Sequence, residues 1–256
     1  MARHSRRNDG KPWTPKPHPS GQDWLWGWHA VAAALANPAR EPPVRLLAAP
    51  DRAAALKAQF PDAPVEIADL AAIARLLPSG AAHQGVALRP GEPPSLTLQE
   101  IAAPAAGVLV MLDQVTDPQN VGAIFRSARA LGARGLILQD RRAPPLSGAL
   151  AKAAAGAVDL LPHARVINLA RALDELADLG WRAVGLAGEA PATIEEVLDT
   201  RPTVLVLGSE GEGLRRLVSE HCDALARIPM PGGFESLNVS AAAAVALYEA
   251  VRAQRG

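Results

Sequence analysis

Residues 108–129 read VLVMLDQVTDPQNVGAIFRSAR, and this stretch indicates the fold class of the chain. Five apolar residues at 108–112 predict a buried strand, because strands covered on both faces are continuously apolar. A polar loop follows, and the apolar spacing after it predicts a helix that begins near Asn120. A buried strand, a loop and a helix in this order form the repeating unit of an α/β protein.

The same alternation of apolar strands and helical patterns continues to the end of the chain. Further strand candidates lie at 135–138, 183–186, 204–207 and 225–228. Apolar strands separated by helices predict a mostly parallel sheet that is covered on both faces. The loops at the carboxyl ends of such strands are the expected place of a ligand site.

A smaller unit with the same alternation precedes this sheet. Helical patterns at 24–35, 53–59 and 70–77 alternate with strand-like stretches at 44–48, 65–67 and 85–88. A stretch rich in proline at 89–106 then favours an extended linker. We therefore expect four segments: a basic tail at 1–20, a small α/β domain at 21–92, a linker at 93–106 and a larger domain at 107–256.

The composition is that of a globular protein, with 49% hydrophobic and 20% charged residues among 256, so global disorder is excluded. Lys plus Arg and Asp plus Glu both number 26, so the total charge indicates no particular partner. The single cysteine, Cys222, excludes an internal disulfide, and the six histidines lack the spacing of metal ligands. No apolar run reaches the roughly 18 to 20 residues of a membrane span.

The first 20 residues carry five basic residues against the single acid Asp9, together with four prolines. They predict a disordered basic tail, which is either a solubilising terminus or an arm that contacts RNA phosphates. A signal peptide is the competing interpretation. We reject it because prolines separate the basic part from the apolar part, which Gly27 and His29 interrupt, and we expect a cytoplasmic protein.

Three segments place polar residues and glycines directly after an apolar strand. In the first, 112–129, Asn120 is a good helix cap, which is its simplest interpretation. Arg126 lies about two turns into an otherwise apolar helix. A guanidinium in that place needs an anionic partner, either a structural ion pair or a phosphate ligand.

The second segment, 204–214, reads VLVLGSEGEGL. Its glycine spacing matches neither the dinucleotide-binding fingerprint nor a Walker loop, so a nucleotide phosphate site is a weak interpretation. Glycines after a strand still let a ligand approach the backbone closely. Glu210 is then either a functional carboxylate or an exposed acid that is favoured at a helix start.

The third segment, 226–240, reads ARIPMPGGFESLNVS and is followed by an alanine-rich helix to about Arg252. Two prolines and two glycines predict a rigid loop after the last strand. Ser236 or Asn238 is expected to cap the helix, and a cap is compatible with a place in a ligand site.

These three segments, in this order, resemble the motifs of the SpoU (TrmH) family in the SPOUT superfamily of RNA methyltransferases. Residues 27–31 and 83–86 look like the small RNA-binding domain of that family, so the resemblance covers nearly everything after residue 20. Residues 161–162 and 168–173 are similar to the branch that methylates a guanosine in the peptidyl-transferase loop of 23S ribosomal RNA.

The resemblance implies a homodimeric enzyme whose C-terminal chain forms a trefoil knot around the methyl donor, S-adenosylmethionine, without a metal. It implies a donor site formed by Ala187, Gly188, Gly208, Ile228, Met230 and Leu237. It implies a catalytic set of Asn120, Arg126, Glu210, Ser236 and Asn238.

A ribose hydroxyl is a poor nucleophile until it loses its proton or its developing oxyanion is stabilised. The family proposal makes Arg126 the base, but arginine keeps its proton at neutral pH, so we favour electrostatic stabilisation. We expect Glu210 to fix Arg126 and Asn120 to hold the ribose-phosphate group. Further RNA contacts are expected from Arg129, Arg134, Arg141 and Arg142.

Several interpretations stay open at this point. Trp24, Trp26 and Trp28 are expected in the core, with stacking on RNA bases as the alternative. The substrate is 23S ribosomal RNA or, with the same motifs, a guanosine in transfer RNA. A non-catalytic RNA-binding or ribosome-assembly protein and a dinucleotide-dependent enzyme are the remaining alternatives.

Overall fold

The computed structural model describes residues 23–91, 93–230 and 236–255, and they form two sheets. The basic tail predicted at 1–20 lies outside the described residues, as do Pro231, Gly232 and Gly233 of the third segment.

The first sheet has four short strands in the order β1-β4-β2-β3, with β4 antiparallel to both of its neighbours and β2 parallel to β3. The strands are β1 (Leu25–Trp26), β2 (Arg45–Ala48), β3 (Val65–Ile67) and β4 (Val86–Arg89). The helices of this unit are α1 (Trp28–Ala36), α2 (Pro50–Gln59) and α3 (Leu70–Arg75).

The second sheet has six parallel strands in the order β10-β8-β9-β5-β6-β7. They are β5 (Val108–Leu112), β6 (Gly135–Gln139), β7 (His163–Val166), β8 (Arg182–Leu186), β9 (Thr203–Leu207) and β10 (Ala224–Ala226). The helices are α4 (Leu98–Ala102), α5 (Pro118–Ala130), α6 (Gly148–Ala154), α7 (Ala157–Leu160), α8 (Leu169–Asp178), α9 (Ile194–Val197), α10 (Arg216–Glu220) and α11 (Val239–Ala253). The predicted α/β class with a mostly parallel sheet is confirmed.

Strand β5 shows why the apolar run is continuous. Val108, Val110 and Leu112 belong to the hydrophobic cluster on one face of the sheet. Leu109 and Met111 belong to the cluster on the other face. Because successive side chains of a strand point to opposite faces, a strand covered on both sides needs an apolar residue at every position.

The structure differs from the sequence prediction in three short elements. Residues 25–26 form a strand where a helix was expected from residue 24, and Gly27, at φ 85°, separates that strand from α1. The stretch expected to be an extended linker contains α4, which Thr97 and Glu100 cap reciprocally. The edge strand β7 was missed, because four residues that include His163 and Arg165 lack a strand-like apolar run.

The tryptophans follow the core interpretation. Trp24 and Trp26 are buried in the first sheet's hydrophobic cluster, which confirms that expectation. Trp28 is half-buried, and the guanidinium of Arg52 lies 5.6 Å from the centre of its ring. Among the described residues, the helices include none with the length and apolar character needed to cross a bilayer.

A buried ion pair joins the first unit to the second. The Nε atom of Arg40 lies 2.7 Å from Oδ1 of Asp159 in α7, and both side chains are 3% exposed. Asn37 and Gly91 complete the hydrogen bonding, because the Asn37 amide donates to the carboxylate and Arg40 donates to the Gly91 carbonyl oxygen. This satisfaction of both charges is what makes an ion pair tolerable in a buried contact.

His163 is a buried polar residue in the second sheet. Its ring packs edge-to-face against Phe125 at 5.9 Å, and its Nε2 atom has no hydrogen-bond partner in the described part of the chain. Burial, together with the positive charge of Arg165, lowers the pKa of His163 to about 4. The native protein therefore holds this ring neutral.

We predict that His163 makes the protein less stable in mild acid. The unfolded chain takes up a proton near its ordinary pKa of 6.5 while the native ring stays neutral, so stability is complete above that pH and falls towards pH 4. A tenfold change in proton affinity corresponds to roughly 1.4 kcal/mol, so the loss approaches about 3 kcal/mol.

Urea unfolding between pH 7 and pH 4.5 measures this loss. His163→Leu should show a shallower fall than the wild type, whereas His29→Gln, at an exposed histidine, should follow the wild type. An equal fall in the wild type and in His163→Leu would contradict the assignment.

Candidate functional site

One cavity of about 710 Å³ lies at the carboxyl ends of the neighbouring strands β10, β8 and β9. The loops after these strands, with the start of α11, form its walls. The lining includes the six residues expected to hold the donor: Ala187, Gly188, Gly208, Ile228, Met230 and Leu237. It also includes three members of the expected catalytic set, Glu210, Ser236 and Asn238. The structure therefore brings nine of the eleven predicted site residues to one cavity.

The loop after β9 folds back on itself. Ser209 and Gly213 exchange two backbone hydrogen bonds of 3.1 and 3.0 Å. A Cβ atom built on Gly208 would lie 2.1 Å from the carbonyl carbon of Gly213, which is backbone and cannot move aside alone. Only glycine fits there, and its backbone is left open to the cavity.

A buried carboxylate anchors the far end of this loop. The side chain of Asp113, directly after β5, is fully buried. It accepts hydrogen bonds from the backbone N–H of Arg215 at 2.9 Å and from its Nε at 2.7 Å. The backbone N–H of Asp113 donates to the Leu207 carbonyl oxygen at 2.8 Å. Both ends of the glycine-rich loop are thus fixed to the central strands.

The carboxylate of Glu210 joins the three sequence segments. Its Oε1 atom accepts hydrogen bonds from Nδ2 of Asn120 at 3.1 Å, from Nδ2 of Asn238 at 2.6 Å and from the backbone N–H of Val239 at 3.2 Å. Asn238 also donates to Oδ1 of Asn120 at 3.0 Å. Residues 90 and 28 positions away along the chain therefore meet at one oxygen atom.

The two helix starts explain how the asparagines are used. Asn120 was expected to cap α5, but the cap is Asp117, whose side chain accepts from the N–H groups of Gln119 and Asn120. Pro118 at the first helical position fits this earlier start. Asn120 is the third residue of α5, and its side chain donates to Glu210 instead. Asn238 does cap α11, as expected.

Arg126 lies on the exposed side of α5. It makes no ion pair or hydrogen bond within the described residues. The expectation that Glu210 fixes Arg126 is wrong, because that carboxylate is directed to Asn120 and Asn238. Of the two interpretations of Arg126, the structural ion pair is therefore not formed among the described residues.

The other expected RNA-binding arginines divide into two kinds. Arg134 donates to the carbonyl oxygens of Ile101 and Ala103 at 2.7 and 2.6 Å, so its guanidinium is engaged in holding the end of α4. Arg129, Arg141 and Arg142 are exposed. Only these three keep a surface position suited to an RNA phosphate.

Sequence reasoning missed the pairing of Asp113 with Arg215. An acid directly after a buried apolar strand was a usable signal, because such a residue must find a partner or face solvent. Glu189 and Glu212, which also line the cavity, were not predicted either. The described part of the chain contains no group of three or more His, Cys, Asp or Glu residues that could bind a metal ion.

Comparison with solved structures establishes the class of protein. The chain is 28% identical to the SpoU methyltransferase AviRb from Streptomyces viridochromogenes, in a structure determined in complex with the cofactor AdoMet. The match has a TM-score of 0.76 and covers 91% of this chain and 89% of the other. The α/β fold with its mostly parallel sheet is therefore that of SpoU methyltransferase structures.

Sequence comparison gives the family. Residues 107–248 match the model of the SpoU rRNA Methylase family. The chain is 40% identical over 242 residues to the 23S rRNA (guanosine-2'-O-)-methyltransferase RlmB of Photobacterium profundum, covering 90% of this chain and 97% of that protein. It is 46% identical over 180 residues to the RlmB of Xanthomonas campestris, covering 68% and 72%. The chain belongs to the SpoU rRNA methylase family.

We predict that Arg215→Met destabilises the protein by about 2 to 4 kcal/mol, because it leaves the Asp113 carboxylate buried without its cationic partner. The free energy of unfolding in urea measures the loss. Arg216→Met is the matched control, since its ion pair with Glu220 is exposed, and its effect should stay within about 0.5 kcal/mol. Equal effects of the two substitutions would contradict the anchoring role of Arg215.

Proposed function

We propose that this protein methylates the 2'-hydroxyl of a guanosine in 23S ribosomal RNA, with S-adenosylmethionine as the methyl donor. The joining of the three segments at Glu210, beside the cavity, is the observation that carries the proposal. The match to a 23S rRNA methyltransferase over 97% of that relative's length supports the choice of substrate, because it extends over both sheets.

The cavity fits the donor in size and charge. About 710 Å³ falls in the range of pockets that hold small ligands. Among the described lining residues, Glu189, Glu210 and Glu212 are balanced by one cation, Arg227, so the lining favours a positively charged ligand. When bound, S-adenosylmethionine supplies an electrophilic methyl group on a sulfonium ion. Backbone groups at Gly208, Ile228 and Leu237 would hold it, with Ala187, Gly188 and Met230 at the walls.

Arg126 is the residue that we assign to the ribose hydroxyl. Its guanidinium is exposed and makes no ion pair with any described residue, so its charge is available to an RNA phosphate and to the developing oxyanion. Arginine retains its proton at neutral pH, and its contribution is therefore electrostatic stabilisation rather than proton abstraction.

Glu210 and the two asparagines are positioning residues in this proposal. The Glu210 carboxylate holds the amide of Asn120, on the first turn of α5, against the start of α11. Arg126 follows on the same helix, so the network fixes the start of the helix that carries its guanidinium, although Arg126 itself does not line the cavity among the described residues. Ser236 is exposed and lines the cavity, where its hydroxyl is available to either substrate.

The finer organisation is part of the same proposal. We assign the C-terminal chain a trefoil knot, the protein a homodimeric state in the cytoplasm, and the chain a small RNA-binding domain at 21–92 ahead of the catalytic domain at 107–256. Val245 and Tyr248, which are exposed and three residues apart on α11, support a partner surface on that helix. A monomeric mass at micromolar concentration would contradict the dimer.

The decisive experiment is transfer of labelled methyl groups from S-adenosylmethionine to total RNA of a strain that lacks this gene, followed by mapping of the modified nucleotide. We predict a 2'-O-methylguanosine in 23S rRNA. Arg126→Ala should lower the rate by about 10²- to 10³-fold without weakening donor binding, because it removes charge stabilisation at the oxyanion. Arg171→Ala, at an exposed arginine on α8, is the matched control and should retain full activity.

The outcomes separate the alternatives. A modified site in transfer RNA would keep the reaction and change the substrate. Donor binding with no transfer to any RNA would identify a non-catalytic RNA-binding protein. Binding of NAD without binding of S-adenosylmethionine would replace the proposal with a dinucleotide-dependent enzyme.

We predict that Gly208→Ala lowers donor affinity by at least about tenfold, because the added methyl group displaces the backbone at Gly213 and Leu214. Isothermal titration calorimetry with S-adenosylmethionine measures this. The control is Gly211→Ala in the same loop: its Cβ meets no atom within 4 Å, although its φ of +88° costs about 1 kcal/mol. Equal affinities for the two variants would remove the steric role of Gly208.

A further inference from the structure

Lys152 lies where the two sheets meet. This lysine is part of α6, and its Nζ atom lies 3.0 Å from Oε1 of Gln84, a residue that precedes β4 of the first sheet. The same oxygen accepts the backbone N–H of Trp28 at 3.1 Å. A Cβ built on Gly27 would lie 2.3 Å from the Lys152 Nζ atom, so glycine makes room for the ammonium group.

This ammonium group has no acidic partner among the described residues. The salt bridges found there do not include Lys152, and its one hydrogen bond is to the neutral amide of Gln84. The residue is half-buried, and burial lowers the pKa of Lys152. A partly desolvated cation that lacks a counter-charge in the protein is suited to an anion from elsewhere.

The surroundings of Lys152 suit a nucleic-acid strand. Gln84 and His29 are exposed, and Arg52 is exposed over the face of Trp28. Arg52 pairs with Asp51, but the distance between Nε of Arg52 and Oδ2 of Asp51 is long, at 3.8 Å, and both side chains are exposed. Arg52 also lies beside Gly85, the neighbour of Gln84, because its Cγ atom is 3.1 Å from a Cβ built on that glycine. Two cations and several hydrogen-bonding groups therefore lie near the junction.

Lys152 is also rigidly connected to the helix that carries Arg126. A Cβ built on Gly122 would lie 2.4 Å from the Leu150 carbonyl oxygen and 2.7 Å from the Ala153 side chain, so α5 and α6 pack backbone to backbone. Gly122 is one helical turn before Arg126, and Leu150 and Ala153 flank Lys152 in α6. The two helices that carry these cations thus keep a fixed arrangement.

We propose that Lys152, held by Gln84, binds a backbone phosphate of the RNA substrate where the strand passes from the small sheet to the catalytic sheet. The inference rests on the proposed function, because it extends the RNA path from Arg126 across the junction. A phosphate at this point supplies the counter-charge that the described part of the chain does not.

A purely structural role in joining the two units is the competing explanation. The junction already holds the buried ion pair of Arg40 and Asp159, and Ala151 of α6 packs with the core of the first sheet. A neutral side chain with an N–H or O–H group could donate to Oε1 of Gln84 without leaving a desolvated charge. The positive charge at position 152 is therefore better explained by an external anion than by docking.

The test is the salt dependence of binding to a 23S rRNA transcript, measured for the wild type, Lys152→Met and Lys152→Arg. Each phosphate contact adds about 0.7 to 0.9 to the slope of log affinity against log salt, since binding releases condensed counterions. Lys152→Met should lower the slope by about that amount, and Lys152→Arg should restore it. Lys57→Met, at an exposed lysine on α2, is the matched control and should keep the wild-type slope.

Two further measurements keep the outcomes distinct. Urea unfolding and the affinity for S-adenosylmethionine should be unchanged in Lys152→Met. An unchanged salt slope in Lys152→Met would overturn the phosphate site, and so would a lowered slope that Lys57→Met reproduces. In either case, methyl transfer by the wild type would leave the proposed function intact. Absence of methyl transfer by the wild type would reject the proposed function, and the slopes would still decide whether Lys152 binds phosphate.

Discussion

The Oε1 atom of Glu210, which accepts hydrogen bonds from Asn120, Asn238 and the N–H of Val239, is the point on which the site depends. A carboxylate at the start of α11 also compensates the positive end of that helix, which runs for 15 residues. Through this single oxygen the glycine-rich loop, the first turn of α5 and the last helix keep one arrangement. Loss of the carboxylate would leave two asparagine amides and a helix start without their common acceptor.

Close backbone packing and a buried ion pair hold the loop that carries Glu210. Gly208 lets its backbone approach that of Gly213 more closely than any residue with a Cβ atom would allow. The buried carboxylate of Asp113 fixes the far end of the loop at Arg215. Both interactions determine which backbone groups of the loop face the cavity. Preorganisation of this kind lets a site bind a ligand without first ordering a loop.

Charge in this protein is arranged locally rather than in bulk. Equal numbers of acidic and basic residues give no net charge, but carboxylates line the cavity while Arg126 and Lys152 have no acidic partners in the described structure. This separation suits a reaction between a cationic donor and a polyanionic acceptor. The close packing of α5 on α6 fixes the two helices that carry these cations, and the ion pair of Arg40 with Asp159 joins the small sheet to the larger one.

The sequence by itself determined the α/β class and most strand positions, and its resemblance to a known family indicated nine of the residues that line the cavity. These features are encoded locally: apolar runs such as 108–112 need both faces of a sheet covered, and loops at strand ends converge wherever strands are parallel. Short elements with mixed polarity, β7 and α4, carried too little periodic signal to be predicted. Tertiary structure alone decided that Glu210 faces Asn120 rather than Arg126, and that Lys152 meets Gln84. These partners are 90 and 68 residues apart, and no local pattern encodes which side chains of distant segments the folded chain brings within hydrogen-bonding distance.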